Sequence, residues 1–129
     1  MRKAIAVSFL LLIALFINAQ QENLPRLTGP YLGQKPPAKA PELFAPGVIS
    51  RADYFEHSAA IFTPDGKEVY WTAKANNQRE CKIYCMRIVD GVWSQPQVAS
   101  FCQENKYYQS LLMSPDGKRL YFPDGSNWL

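Results

Sequence analysis

Few side chains in this sequence have the types and spacing to do chemistry. His57 is the only histidine, and Asp53, Glu56 and Ser58 flank it. Serine, histidine and aspartate together suggest nucleophilic catalysis, the imidazole taking the hydroxyl proton and the carboxylate orienting the ring. These three crowd into six residues, whereas triads are assembled from separate elements. On a regular strand the adjacent His57 and Ser58 also point to opposite faces. A structural role at a strand start is therefore the expectation. Asp65 and Asp116 offer two carboxylates for a metal ion or for glycoside hydrolysis. Both sit inside the same tripeptide, Pro64-Asp65-Gly66 and Pro115-Asp116-Gly117. That recurrence points to turn formation.

Cys81, Cys85 and Cys102 are an odd set, so they cannot all pair within one chain. On an extended strand, residues four apart are separated by about 13 Å, and a disulfide needs Cα atoms within about 7 Å. Cys81 and Cys85 are thus not expected to bond each other. Either can meet Cys102 if the strands bring them together; buried free thiols are the plainer expectation. A C-x3-C pair with one further cysteine and a distant histidine falls short of the four ligands of a closed zinc site. No metal and no cofactor are expected. Among the aromatic residues, Tyr70, Trp71, Tyr84, Trp93, Tyr121 and Phe122 fall in alternating runs that pack. Tyr107 and Tyr108 lie in a connection, where exposed rings can contact a peptide or a sugar.

The elements that position these residues are strands. Residues 57–63 run to Pro64-Asp65-Gly66, residues 68–73 follow, and a polar loop at 76–79 leads into residues 82–89. Asp90-Gly91 is a hairpin turn pair. Residues 92–99 make a fourth run, which Pro96 demotes to an edge strand. In the 68–73 run, Val69 and Trp71 share one face and Tyr70 and Thr72 the other. No run past the N-terminus has the three-and-four spacing of a helix, so the fold class is all-β. Residues 20–42 hold five of the ten prolines, which fix φ and lack an N–H; they are expected to form an extended tether or strap. Ahead of them, Arg2 and Lys3, an apolar run over 4–17 and Ala19 have the order of a secretory signal peptide over 1–19. The apolar run is shorter than the about 20 residues of a membrane span. Removing 1–19 takes away Arg2 and Lys3 and no acidic residue, so the net charge falls from +3 to +1. A chain this near neutral, with no basic cluster, gives no case for nucleic acid.

The most informative feature is internal repetition. F-T-P-D-G-K-E-V-Y-W at 62–71 aligns without a gap to M-S-P-D-G-K-R-L-Y-F at 113–122, an offset of 51 residues. Proline presets φ at the first corner, aspartate bonds back to the backbone, and glycine takes the position with φ above zero. Repetition on this scale signals units that bury their faces against one another. Four short strands per unit point to a propeller blade rather than a helical solenoid.

At these residues the sequence resembles the WD-repeat-like, TolB-like propeller repeat of bacterial envelope proteins. P-Y-L-G-Q-K-P-P at 30–37, P-E-L-F-A-P-G at 41–47 and D-G-V-W-S-Q-P at 90–96 are similar to exported propeller proteins as well. The resemblance implies a non-enzymatic module in the periplasm or outside the cell that binds a protein, peptide or glycan. No G-x-S-x-G elbow is present to suggest a hydrolase. The expected architecture is four-stranded antiparallel blades within a partial propeller over 43–129. It would comprise an outer strand at about 43–49, a full blade at about 55–99 and half a blade at about 107–122. Four blades of about 45 residues need about 180, so a truncated copy ending at Leu129 is expected. Its open strand edges would favour self-association. The alternative is a fragment of a propeller glycan hydrolase or lyase whose catalytic residues lie in missing blades.

Overall fold

The structure is a computed structural model that describes residues 24–36 and 38–123. The signal peptide expected over 1–19 and the chain end at Leu129 lie outside the described residues. Among the described residues there is no α-helix, and the molecule is all-β.

The sheet is organised by its two long strands, β3 (Glu68–Ala75) and β4 (Lys82–Val89), which pair antiparallel with Trp71 opposite Tyr84 and Tyr70 opposite Cys85. Alternation decides the two faces. Val69, Trp71, Ala73 and Met86 are buried on one side, and Thr72, Ile83 and Cys85 on the other. On the free flank of β3 lie β1 (Tyr54–Glu56) and β2 (Ile61–Phe62); on that of β4 lie β5 (Val92–Trp93) and β6 (Gln97–Val98). All pairings are antiparallel, giving a curled sheet of four runs in chain order. Asp90 and Gly91 turn β4 into β5 with φ of 51° and 77°, as a tight primed hairpin turn requires.

Both outer runs are broken, and a serine patches each break. Between β1 and β2 the chain carries more residues than the stretch of β3 it opposes. At this bulge Ser58 Oγ accepts the Thr72 N–H at 2.9 Å, while His57 N–H donates to the Thr72 carbonyl at 2.9 Å. Between β5 and β6, ahead of Pro96, Ser94 Oγ accepts the Arg87 N–H at 3.2 Å. The expected continuous run at 92–99 is therefore two short strands, and that at 57–63 keeps only β2, with β1 lying ahead of it, because a bulge leaves ladder groups that a neighbouring side chain must satisfy.

The segment at 43–49 is a turn, not the expected outer strand. Ala45 and Gly47 have φ of 45° and 79°, and the Ala45 carbonyl accepts both the Val48 and Ile49 N–H groups. Pro46 has no N–H to give a ladder, so the turn wins and delivers Ala45, Val48 and Ile49 to the core. The proline-rich strap goes deeper than a surface tether. Tyr31 and Leu32 take left-handed backbone, φ 52° and 59°, and Leu32 is fully buried. Trp93 ties the strap down: its backbone N–H donates to Leu27 O at 3.0 Å and its Nε1–H to Gly29 O at 2.8 Å.

The strap and the 43–49 turn cover the Val69–Trp71 face. The opposite face is covered by residues 99–122, which include the hairpin of β7 (Leu112–Met113) and β8 (Leu120–Tyr121). The two hairpins have one register. Ile61 pairs with Tyr70 and Phe62 with Val69; at the same offset of 51 residues, Leu112 pairs with Tyr121 and Met113 with Leu120.

Candidate functional site

The two Pro-Asp-Gly turns match bond for bond. Thr63 Oγ1–H donates to Asp65 Oδ1 at 2.7 Å, Lys67 N–H donates to the same oxygen at 3.1 Å, and Glu68 N–H donates to Thr63 Oγ1 at 3.0 Å. In the second turn Ser114 Oγ–H donates to Asp116 Oδ1 at 2.6 Å, Lys118 N–H to that oxygen at 3.1 Å, and Arg119 N–H to Ser114 Oγ at 2.9 Å. These bonds, with the hydroxyl first, hold both aspartic acids below the usual carboxylate range. Gly66 and Gly117 sit at φ of 67° and 69°. The turns touch: a Cβ on Gly117 would lie 2.5 Å from Pro64 Cδ. An open cleft of about 480 Å³ runs between them, with Lys67, Glu68 and Arg87 at its side.

The serine, histidine and aspartate near residue 57 are not brought together. Ser58 Oγ is bound to the sheet backbone, and the Asp53 carboxylate is held by Arg51 through bonds of 2.9 and 2.7 Å. The imidazole instead meets Tyr107, whose hydroxyl lies 2.5 Å from His57 Nε2. Burial, then the nearby Lys74 ammonium, lowers the His57 pKa, which favours a neutral ring that accepts the Tyr107 proton. Phe55 completes the group, its ring edge-on to His57 at 4.7 Å between centroids.

Tyr107 and Tyr108 separate. Tyr107 is half-buried and faces His57. Tyr108, expected to be exposed, is instead only 2 % accessible. Its hydroxyl accepts the Gln103 N–H at 2.9 Å, and its backbone N–H donates to Cys81 O at 3.0 Å. The reason is alternation: in an extended connection lying on a sheet, one of two successive side chains must point inward. Phe55, 56 % exposed, was not singled out by its residue type. Its position two residues before His57, on a strand, is the signal that puts both rings on one side.

The three cysteines are free thiols. Burial pushes Cys81 up to about 11 and also raises Cys85 and Cys102, so none is an activated nucleophile. Among the described residues no group of three or more histidine, cysteine or acidic side chains could hold a metal ion. The Phe55–His57–Tyr107 surface presents aromatic edges, one hydroxyl–imidazole pair and the nearby Lys74 ammonium. Compared with known proteins, the chain matches no family model, no curated protein and no solved structure.

Proposed function

We propose that the chain is an exported, non-enzymatic binding module built from propeller-type repeats of the TolB-like kind. It comprises one full four-stranded blade and the leading hairpin of the next, and it holds a protein, peptide or glycan in the cell envelope. The observation that carries this reading is the second hairpin, which repeats the register and turn bonding of the first and covers one face of the same sheet. Units that repeat and stack make a rigid platform, and recognition is then left to side chains at its surface. Phe55, His57 and Tyr107 are the contact residues of that platform. The near-neutral charge after removal of 1–19 suits an uncharged or mixed ligand better than a polyanion.

The test is titration of the purified chain with soluble cell-wall glycan fragments and with extended peptides, followed by NMR. Saturable shifts centred on Phe55, His57 and Tyr107, lost in Tyr107→Ala, are expected. Shifts elsewhere would overturn the assignment of these residues. Cleavage of a glycan would favour the alternative, a fragment of a propeller hydrolase or lyase. Fractionation of the source cell tests export: recovery from the cytoplasm with residues 1–19 still attached would refute it.

A further inference from the structure

The second hairpin ends on an open edge. In the first hairpin β3 is paired on both sides, with β1 and β2 on one flank and β4 on the other. Its counterpart β8 is paired with β7 alone among the described residues. Arg119 O accepts the Ser114 N–H at 2.9 Å, on the β7 side. Backbone groups alternate along an antiparallel strand, so the N–H and C=O of Leu120 and Phe122 face away from β7. Val69 and Trp71, 51 residues earlier, stand opposite Met86 and Tyr84 of β4. Pro123 takes the place of Thr72, whose N–H points to the other flank, at Ser58 Oγ. The missing N–H of the proline therefore removes no donor from the open edge.

Charge singles out what this edge takes. β3 opens with Glu68 opposite Arg87 of β4, their charged groups 3.8 Å apart, and Tyr70 OH donates to Glu68 Oε2 at 2.5 Å. In the second hairpin the corresponding residues are Arg119 and Tyr121. Both are exposed, and neither side chain has a hydrogen-bond or ion-pair partner among the described residues. The sign at this place is reversed, so its complement is reversed too. We propose that the open edge of β8 receives an extended strand of another polypeptide, antiparallel to it. That strand carries an acidic residue opposite Arg119 and an apolar residue opposite Leu120, as Met86 lies opposite Val69. Main-chain bonds to Leu120 and Phe122 hold the strand, and its side chains give the selectivity. Unlike charges directly opposed stabilise a strand pair, and like charges weaken it. None of these residues belongs to the Phe55–His57–Tyr107 group, so the edge is a second contact surface.

The full chain, isotope-labelled, is titrated with two synthetic peptides and followed by NMR. One has the sequence of residues 82–89 with Cys85→Ser and Arg87→Glu; the other has Cys85→Ser alone and keeps Arg87. With the acidic peptide, saturable shifts at residues 119–122 and slowed amide exchange at Leu120 and Phe122 are expected. The Arg87 peptide should bind about tenfold more weakly, and Arg119→Glu in the chain should invert that preference. Tyr107→Ala should leave the binding of both unchanged, which separates this edge from the contact proposed at Tyr107. Equal binding of the two peptides, a preference that Arg119→Glu does not invert, shifts confined elsewhere, or no binding would each overturn the proposal. So would amide exchange already slow at Leu120 and Phe122 in the free chain, or concentration-dependent shifts there without peptide. Those two results would give the edge to the chain's own residues or to a second copy.

Discussion

Tyr107 and His57 stand 50 residues apart in the chain, yet the tyrosine hydroxyl lies 2.5 Å from His57 Nε2. The bond ties the connection after the first four-run sheet to the bulge in that sheet's opposite outer run. It also makes a neutral imidazole part of the folded state.

Stability is therefore expected to depend on pH through His57. Its folded pKa is lowered from 6.5, by burial first and Lys74 second. The unfolded chain thus binds a proton more readily than the folded one. The contribution is complete above about pH 6.5 and is lost as the pH falls below that value toward the lower folded pKa. Urea unfolding across this range should show a decline that His57→Gln flattens. An unchanged slope in the variant would place the titration elsewhere.

Gly66 and Gly117 occupy the same corner with nearly the same φ, but only Gly117 faces Pro64 at 2.5 Å. An alanine in left-handed backbone costs about 1–2 kcal/mol, so both Gly66→Ala and Gly117→Ala are destabilising. Gly117→Ala should cost more, and Pro64→Ala should relieve the excess. Chemical unfolding of the singles and of the Pro64→Ala/Gly117→Ala double measures this coupling. Purely additive effects would mean that the two turns do not touch.

Ser58→Ala removes the acceptor for the N–H of Thr72, a fully buried residue. A buried donor left unpaired costs about 1–3 kcal/mol. Ser94→Ala removes the equivalent acceptor for Arg87, which is exposed and can turn to water, so its cost is smaller. Equilibrium unfolding should rank the two in that order. Amide exchange should speed up at Thr72 in Ser58→Ala well before it does in the centre of β4.

Trp93→Phe keeps an apolar ring in the core but loses the Nε1–H bond to Gly29 O. The strap should then open while the sheet stays folded. Trypsin cleavage between Arg26 and Leu27 is the measurement. Faster cutting there with unchanged far-ultraviolet circular dichroism is expected, and unchanged cutting would show that the Nε1–H bond is not what holds the strap.

The features legible in the sequence are those settled within a few residues. Thr63-Pro64-Asp65-Gly66-Lys67 closes on itself through hydroxyl, carboxylate and backbone bonds at separations of two to five residues. The second turn does the same from Ser114 to Arg119. The alternation of Val69 and Trp71 against Tyr70 and Thr72 comes from the pleat alone, and Asp90-Gly91 carries its own backbone preference. Repetition followed from the same local chemistry, because like turns joined to like strands give like hairpins.

Tertiary structure decided what depends on distant partners. Leu32 is drawn from a proline-rich strap into the core, and residues 43–49 turn because three of them fill space beside Trp71 and Trp93. Tyr108 turns inward and Tyr107 outward because of the sheet beneath them, and His57 is paired from 50 residues away. Composition is silent on such choices: several arrangements satisfy the local backbone equally well, and the one adopted buries apolar surface while pairing backbone groups such as the Thr72 N–H and C=O.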